Sequence, residues 1–439
     1  MSGSPRVLIV AYYVPPAGGP AVQRVLQFVE FLGQEGWTPE ILTVRQGVYP
    51  NRDPALLDRL PPADRIHRTP ALDPYAIYQT LTGKGEEDLP TGSMEEGTSW
   101  TEALAKWVRA NVFIPDARVG WWPFAVYRGL RLLRSGRYDA VITSGAPHSV
   151  HLTGHTLRRW TGVPWVADLH DPWTDISYYD DLPHTVWARR LDAALERAVL
   201  SSASAVTTVS PSWADLFAEK ADNTYHVVEN GFSDDEFEGV EEDPSNDTFV
   251  LAHVGKLYKS RNPTVVWRAL ARLRDEDRIP NLTVRLIGTV DPVVEQSIQR
   301  HDLGAIVERV AFVPHEDAIR AMARSTLLLL VIESFAQAEG MITSKLYEYL
   351  ASGRPVLGVG PPDGDASALL RTHDAGTMVG WDAVDRAANV IATHHEAWAQ
   401  GGPCSGADRE ALTKHTRRHQ ARRMARVLDA CVGATVPLD

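Results

Sequence analysis

Short apolar runs alternate with longer amphipathic stretches along the first half of the chain. Residues 7–11 (VLIVA) and 39–44 (PEILTV) are compact apolar runs, and apolar side chains recur every three or four positions between Ala21 and Gln34. The runs are typical of buried strands, and the recurrence is typical of one helix face. Such strand–helix–strand alternation favours a parallel sheet covered by helices. Further strands of this sheet are predicted at residues 140–143, 165–168 and 205–209.

The alternation restarts after an acidic segment, residues 233–247 (SDDEFEGVEEDPSND), which has few apolar side chains. We predict that this segment links an N-terminal domain, residues 1–232, to a C-terminal domain, residues 248–415. The second domain repeats the pattern, with strands predicted at 250–254, 282–287, 326–332 and 355–359 and helices at 263–273 and 345–352. The predicted fold class is α/β: two Rossmann-like, doubly wound domains face each other across a cleft, and ligands bind outside the carboxyl ends of the strands.

Two further segments stand outside this pattern. Residues Gly83 to Ser99 are polar, acidic and glycine-rich, and they are predicted to form an exposed insertion. Residues 416–439 are helical in pattern and rich in arginine. Whether this last helix crosses back to the N-terminal domain is open from the sequence.

Composition limits the function classes. The chain has 439 residues and a net charge of −12, whereas a protein that grips a nucleic-acid backbone usually carries a basic excess, so a nucleic-acid partner is disfavoured. Two cysteines, Cys404 and Cys431, are too few for a disulfide framework or a four-ligand zinc site. Because neither a signal peptide nor an apolar run of about 18 residues is found, we expect a cytoplasmic protein that does not span a membrane. The oligomeric state is open.

The loop after the first predicted strand, PPAGGP, contains Gly18 and Gly19. Adjacent glycines let backbone amides approach an anion at a helix N-terminus. The loop lacks the GxGxxG spacing of a dinucleotide site, and a plain tight turn is the alternative.

The segments SGAPHS and VPWVADLHDPW follow two more strands and place His148, His170 and Asp171 at strand ends. Imidazole titrates near neutral pH, so His170 could donate a hydrogen bond or shuttle a proton. The alternative is that these side chains only cap turns. His151 and His155 have the spacing of a metal-binding pair, but no third ligand follows, so a packed helical pair is favoured and no metal is predicted.

Lysine is scarce, with seven lysines among 44 basic residues. Three of the seven fall in two loops that each join a strand to a helix in the C-terminal domain: Lys256, Lys259 and Lys345. A compact ammonium beside helix N-terminal amides suits a diphosphate. Thr343 and Ser344 have N-cap chemistry and could also donate to a phosphate. Glu348, one turn further along, could accept hydrogen bonds from a ribose diol.

A tryptophan-rich segment, residues 121–124 (WWPF), precedes arginines at threefold spacing, Arg128, Arg131 and Arg134. This pattern has two interpretations. One is a peripheral contact with a membrane surface. The favoured one is an amphipathic crossover helix with a solvated basic face.

Together these segments resemble a GT-B glycosyltransferase of family four, of the type that builds bacterial surface polysaccharides. The resemblance covers nearly the whole chain: the glycine loop, VPWVADLHDPW and VENGF in the first half, and VGKLYKSRNP, RLIG and TSKLYEYLASGRPVL in the second. The last of these is the most specific match. The resemblance implies a retaining, metal-independent enzyme whose donor is a nucleotide sugar and which needs no cofactor.

The resemblance also implies roles for single residues. Lys256 stands at the first cation of the family's diphosphate clamp, and Arg261 lies one place from the second. His170 matches the histidine near the sugar. Glu348 matches the second glutamate of the family's E-x7-E motif, the ribose ligand, whereas Gly340 stands where the first glutamate would be. The other predicted donor-binding residues are Gly18, Gly19, Gly255, Gly288, Val313, Ile342, Thr343, Ser344 and Lys345, and the predicted acceptor-side residues are His148 and Asp171.

The predicted function is transfer of a sugar from a nucleoside-diphosphate sugar to a glycan or lipid-linked acceptor, at the inner face of the membrane if the acceptor is a lipid. Two alternatives remain. One is a nucleotide-sugar epimerase, which would need more acids and bases in its cleft. The other is a non-catalytic binding module, which the missing glutamate permits.

Overall fold

The computed structural model describes residues 4–47, 49, 51–72, 100–240 and 247–433, and the predicted insertion at Gly83 to Ser99 lies outside these ranges. The chain folds as two compact units. The first unit joins the described residues up to Glu229 with the segment that begins at Arg417, and the second runs from Asn230 to Thr416.

The first unit is built on a sheet of seven parallel strands in the order β3-β2-β1-β4-β5-β6-β7. Its strands are β1 Arg6–Val10, β2 Thr38–Val44, β3 Ile66–Thr69, β4 Ala140–Gly145, β5 Trp165–Leu169, β6 Ala205–Thr208 and β7 Tyr225–Val227. Its helices are α1 Pro20–Phe31, α2 Trp100–Asn111, α3 Trp122–Leu133, α4 Ser149–Thr161, α5 Val186–Ser202, α6 Pro211–Lys220 and the C-terminal α13 Arg417–Val432.

The second unit has six parallel strands in the order β10-β9-β8-β11-β12-β13. Its strands are β8 Phe249–Val254, β9 Leu282–Ile287, β10 Val307–Val310, β11 Leu327–Val331, β12 Val356–Val359 and β13 Gly376–Val379. Its helices are α7 Thr264–Asp275, α8 Pro292–Arg300, α9 His315–Ala323, α10 Ser344–Ala351, α11 Asp365–Thr372 and α12 Val384–Ala399. The predicted α/β class with two Rossmann-like domains is confirmed.

The central strands are apolar because helices cover both faces of each sheet. In β1 the residues Val7 to Val10 are fully buried, and Ile9 lies opposite Ile41 of β2 and Ile142 of β4. In β11 all five residues, Leu327 to Val331, are buried. Continuous apolar runs therefore mark the central strands of each sheet. The loops that follow the carboxyl ends of these central strands are the ones expected to bind ligands.

The C-terminal helix α13 packs in the first unit. Ala421, Met424 and Leu428 are buried in one apolar cluster with Val25 and Phe28 of α1. The Trp37 indole Nε1 donates to Asp429 Oδ1 at 3.0 Å. The apolar side of this arginine-rich helix thus completes the core of the first unit.

The boundary between the units differs from the predicted linker. The units divide between Glu229 and Asn230, and residues 234–237 form a short 3₁₀ turn of the second unit. Phe237 is buried there and meets Phe232 edge to face in an apolar cluster. Val240 packs against the same cluster, so the acidic composition of the segment hid apolar side chains that anchor its described part to the second unit.

Candidate active site

The predicted site residues follow strands at the point where each sheet reverses its order. In the first sheet β1 lies between β2 and β4, and in the second β8 lies between β9 and β11. Loops that leave neighbouring strands in opposite directions open a crevice at such a point. Gly18 and Gly19 follow β1, His148 follows β4, and Gly255 to Arg261 follow β8.

In the first unit a single carboxylate organises the end of β5. Asp168 is fully buried and forms a bidentate ion pair with Arg24 of α1, in which Arg24 Nη2 lies 2.7 Å from Oδ1 and Nε lies 2.9 Å from Oδ2. Thr207 Oγ1 donates to Oδ1 at 2.7 Å and Ser144 Oγ donates to Oδ2 at 3.0 Å. The His170 Nε2 atom lies 3.0 Å from Oδ2 and 2.9 Å from Ser144 Oγ.

Burial by itself would raise the pKa of Asp168, but the charge of Arg24 and the hydrogen bonds from Arg24 and His170 hold that pKa well below its usual range. Asp168 is therefore ionised. A buried charge pair is tolerated only when the remaining hydrogen-bonding positions of its groups are also satisfied. The five donors around this carboxylate therefore explain why it is stable in the core.

His148 lies in an apolar setting next to this network. Its ring stacks on Trp173 with centroids 5.1 Å apart, and neither ring nitrogen has a hydrogen-bond partner in the described part of the chain. Burial lowers the pKa of His148 to about 3, so the ring is neutral. His151 Nδ1 instead bonds Thr143 Oγ1 at 2.9 Å, and His155 Nδ1 bonds Ser202 Oγ at 2.7 Å, so these two histidines serve different partners.

Two further carboxylates, which the sequence did not reveal, hold the loops around His148 and His170. Asp116 accepts from the backbone amide of Ser149 at 2.7 Å and from its hydroxyl at 2.8 Å, at the start of α4. Asp192 of α5 accepts from Trp173 Nε1 at 2.7 Å and from the Tyr179 hydroxyl at 3.0 Å. Burial raises the pKa of Asp116, and it raises the pKa of Asp192 to about 6.

The glycine loop and Asp171 lie in the same unit. Gly19 is the N-cap of α1 with φ +108°, and no atom lies within 4 Å of the position that a Cβ would take there. Gly18 donates its amide to Asn51 O at 3.0 Å. The loop is therefore held on one side by protein and is open at Gly19, although Pro20 removes one of the helix N-terminal donors. Asp171 is half-buried, one residue beyond His170.

The tryptophan-rich segment before α3 divides into a buried and an exposed part. Trp121 is buried, and its Nε1 donates to Thr69 Oγ1 at 2.7 Å. Trp122 leans on α4, donating to Leu152 O at 3.2 Å, and Tyr127 is 64% exposed. Of the two tryptophans in the segment, only Trp122 therefore reaches the surface.

In the second unit the ends of β8, β9 and the start of α10 meet around two glycines. Gly255 has φ +117° and Gly288 has φ +115°, a region that favours glycine. A Cβ on Gly255 would lie 2.3 Å from Lys345 Cε, and one on Gly288 would lie 2.7 Å from Gly255 O. The missing side chains let the Lys345 stem lie against the backbone of β8.

Three predicted cations gather at this place. The pKa of Lys345 is lowered, first by burial and then by the nearby charges of Arg261 and Lys256, while Glu348 acts in the opposite direction. Arg261 Nε is buried and has no hydrogen-bond partner among the described residues. A buried guanidinium nitrogen without a partner is costly, so this arrangement is suited to an anion that would accept from it.

The N-terminus of α10 adds donors to the same place. Thr343 is the N-cap, but its hydroxyl does not cap the helix and, within the described ranges, bonds to nothing. The first helical residue is Ser344, next to Lys345. Helix N-terminal amides carry partial positive charge, which adds to that of the ammonium groups.

Of the remaining predicted donor residues, Ile342 is buried in an apolar cluster against which Val313 packs. Gly340, at the place of the missing glutamate, is buried in a 3₁₀ turn, whereas Glu339 is exposed. Gly18 and Gly19 lie in the first unit and the other predicted donor residues lie in the second. No group of three or more His, Cys, Asp or Glu side chains in the described ranges could hold a metal ion.

With this geometry in hand, comparison with known families decides the class. The model of the glycosyl transferase 4-like domain matches residues 18–231, a stretch that contains the glycine loop, His148 and the Asp168 network. Residues 18–231 form a glycosyl transferase 4-like domain. The resemblance stated from the sequence and the predicted enzyme class are thereby confirmed.

Solved structures of the same architecture cover nearly the whole chain. Sucrose-phosphate synthase from Thermosynechococcus elongatus has a TM-score of 0.59 at 16% identity, over 98% of this chain and 96% of that one. Anabaena HepE in complex with UDP and glucose has a TM-score of 0.60 at 14% identity, over 97% and 99%. WaaG, a glycosyltransferase involved in lipopolysaccharide biosynthesis, has a TM-score of 0.52 at 14% identity, over 98% and 100%. At these identities the likeness shows the GT-B fold. No curated protein sequence matches the chain, and none of the helices in the described residues is long and apolar enough to cross a membrane.

Proposed function

We propose that this glycosyltransferase moves a sugar from a nucleoside-diphosphate sugar to a glycan or lipid-linked acceptor, with retention of the anomeric configuration, in the synthesis of a cell-surface polysaccharide or glycoconjugate. The donor binds to the second unit and the acceptor to the first. The observation that carries the proposal is the group of cations, Lys256, Arg261 and Lys345, beside the N-terminus of α10. The solved HepE complex, which contains UDP and glucose, supports a nucleotide-sugar donor on this fold.

The chemistry follows from where charge develops. When the bond between sugar and diphosphate breaks, negative charge grows on the leaving phosphate oxygen. Fixed cations and helix amides stabilise that charge without rearrangement, which lowers the barrier. In this proposal Lys345, which lies against Gly255, and the unpartnered Thr343 hydroxyl donate to the diphosphate and stabilise the developing charge.

The location of the reaction is part of the proposal. A lipid-linked acceptor would bring the protein to the cytoplasmic face of a membrane. Trp122 of the predicted aromatic segment and the exposed Tyr127, further along α3, would touch such a surface. A glycan acceptor would need no such contact.

The test is the binding of UDP, GDP and ADP, and of the corresponding sugars, by isothermal titration. A charge-assisted hydrogen bond is worth about 1.5–3 kcal/mol, so the double variant K256A/K345A should bind the preferred nucleotide at least about 100-fold more weakly than wild type. Lys259→Ala is the matched control, because this exposed lysine lies in the same loop and outside the cation group. Equal affinity of the double variant and wild type would refute the assignment of the diphosphate site.

Product analysis completes the test. With donor and acceptor together, nuclear magnetic resonance of the product should show the anomeric configuration of the donor. If the protein formed an epimerised sugar nucleotide from the donor alone, this result would favour the epimerase hypothesis over the transferase hypothesis. Failure to bind any of these nucleotides would favour the non-catalytic module.

A further inference from the structure

The hydrogen-bond network of Asp168 constrains the histidine beside it. Because Asp168 is ionised, both of its oxygens only accept hydrogen bonds. Oxygen Oδ2 lies 3.0 Å from His170 Nε2. If Nε2 carried a lone pair, two lone pairs would face each other at hydrogen-bond distance in a buried site, so Nε2 must carry the proton.

Ser144 is consistent with this assignment. Its hydroxyl lies 3.0 Å from Asp168 Oδ2 and 2.9 Å from His170 Nε2. A hydroxyl has one proton, and it donates that proton to the carboxylate, which is the stronger acceptor. The serine oxygen then faces the N–H of His170 with its lone pairs.

The other ring nitrogen has a different environment. Every hydrogen bond of the His170 ring to the described residues is made by Nε2, and the side chain keeps 10% of its surface exposed. When Nε2 carries the only proton of a neutral imidazole, Nδ1 presents a lone pair and can only accept. A carbohydrate hydroxyl is the donor that such a nitrogen would meet.

We propose that Asp168, paired with Arg24, is a positioning residue that fixes His170 in its Nε2–H tautomer, so that Nδ1 accepts a hydrogen bond from a hydroxyl of the carbohydrate substrate. Arg24 takes part because it neutralises the carboxylate and fixes its plane through two hydrogen bonds. The identity of the substrate rests on the proposed function, whereas the tautomer does not.

The decisive measurement uses the whole protein labelled with ¹⁵N-histidine and long-range ¹H–¹⁵N correlation at alkaline pH, without substrate. The signal of His170 is assigned by its loss in His170→Asn. A predominant Nε2–H pattern is expected. A predominant Nδ1–H pattern, or comparable amounts of both, would overturn the proposal even if the protein binds a nucleotide as expected.

Variants separate positioning from general support. Removing Asp168 alone leaves the buried Arg24 without its partner, so the primary variant is R24M/D168L, which replaces both charges by apolar side chains of similar size. Without the carboxylate, nothing excludes the Nδ1–H tautomer, so a measurable share of it should appear in this variant, whereas wild type should show Nε2–H alone. A variant as purely Nε2–H as wild type would overturn the proposal.

Two single variants test the alternatives. Thr207→Val removes a donor from the far oxygen, Oδ1, and the tautomer should stay as in wild type. Ser144→Ala removes the other neighbour of Nε2, and the tautomer should also persist, since Asp168 remains. Loss of the preference in Ser144→Ala would assign the positioning to the serine instead.

Turnover gives the functional readout. In R24M/D168L we expect kcat to fall about 100-fold, since a misplaced catalytic contact costs about that much, while the KM for the donor changes less than about threefold. A fall in donor affinity with unchanged kcat would contradict the positioning role. If no transfer is detected with wild type, the proposed function fails and the tautomer measurement still decides the structural part.

Discussion

Charged side chains lie at the ends of both β5 and β8, but the two sites differ in whether the protein itself provides partners for the charges. At β5 the carboxylate of Asp168 is surrounded by donors from Arg24, Ser144, Thr207 and His170, all within the protein. At β8 the Lys345 ammonium lies near two further cations and a single carboxylate, and burial lowers its pKa. The first arrangement is complete and the second is not.

This difference separates two tasks. A complete network is rigid and holds His170 in one orientation, as a group must be held if it is to contact a reacting substrate. A group of cations without a bound anion lowers the free energy of unfolding of the ligand-free protein. Binding of an anion removes this destabilisation. The predictions below disturb one region at a time.

The largest effect is expected where the complete network is broken. Asp168→Asn leaves the guanidinium of Arg24 without its charge partner in the core, and breaking such a pair costs about 3–5 kcal/mol. Urea unfolding of the ligand-free protein would measure the loss. The double variant R24M/D168L should recover most of it, and a double variant as unstable as Asp168→Asn would show that the pair itself, rather than the orphaned charge, sets the stability.

A smaller loss is expected from a methyl group beside Lys345. Gly255→Ala places a Cβ 2.3 Å from Lys345 Cε on a backbone with φ +117°, which should cost about 1–3 kcal/mol and weaken nucleotide binding. Thermal unfolding and titration with the preferred nucleoside diphosphate would measure both. Gly304→Ala is the control, because no atom lies within 4 Å of its Cβ position and its φ is not positive. Equal effects of the two changes would argue against the close approach of Lys345.

The pH dependence of the first unit should reveal His148. Burial lowers the pKa of His148 from 6.5 to about 3, so between these values the unfolded chain binds a proton that the folded chain does not. Stability should therefore fall as the pH drops below about 6.5, by up to about 1.4 kcal/mol per pH unit for this one group. His148→Phe, which can keep the stack on Trp173, should flatten the decline measured by urea unfolding, whereas His301→Asn, a change at a half-buried ring without a carboxylate partner among the described residues, should leave it as in wild type.

The smallest expected effect is a gain. The pKa of Lys345 is lowered on folding, so at neutral pH the folded state holds an ammonium that the unfolded chain holds more favourably. Lys345→Met should stabilise the ligand-free protein by about 0.5–1 kcal/mol while weakening nucleotide binding. Wild type should also gain stability as the pH rises towards 10.5, the usual lysine value, and the variant should lack this rise. A variant less stable than wild type at neutral pH would mean that Lys345 is already satisfied without an anion.

The strands that the sequence missed share one position. All central strands were predicted, whereas β3, β7, β10 and β13 were not, and these four are the edges of the two sheets. An edge strand has a neighbouring strand on one side only, so its residues are partly exposed. Such a strand can also be short, as β7 is with residues 225–227. The apolar run that marks a central strand is absent for that physical reason.

The candidate site shows the same limit at the level of single residues. Strand-end loops pointed to His170 and Lys345, because their position after a predicted strand is a local feature. Arg24 and Asp116 carry no such mark, since their partners lie far away along the chain, as Asp168 does from Arg24 by 144 positions. An arginine on the apolar side of α1, next to Val25, was the one available sign of a buried ion pair.

The return of α13 has a consequence for how the protein is made. The side chains of Met424 and Leu428 close the core around Phe28, and they are synthesised only after the whole second unit, which precedes them in the chain. Until then the nascent first unit carries an uncovered apolar face of α1 while the entire second unit is synthesised and can fold. Translation therefore imposes an order in which the middle of the chain completes its core before the beginning does, and a chain that stops before Arg417 leaves the first unit open.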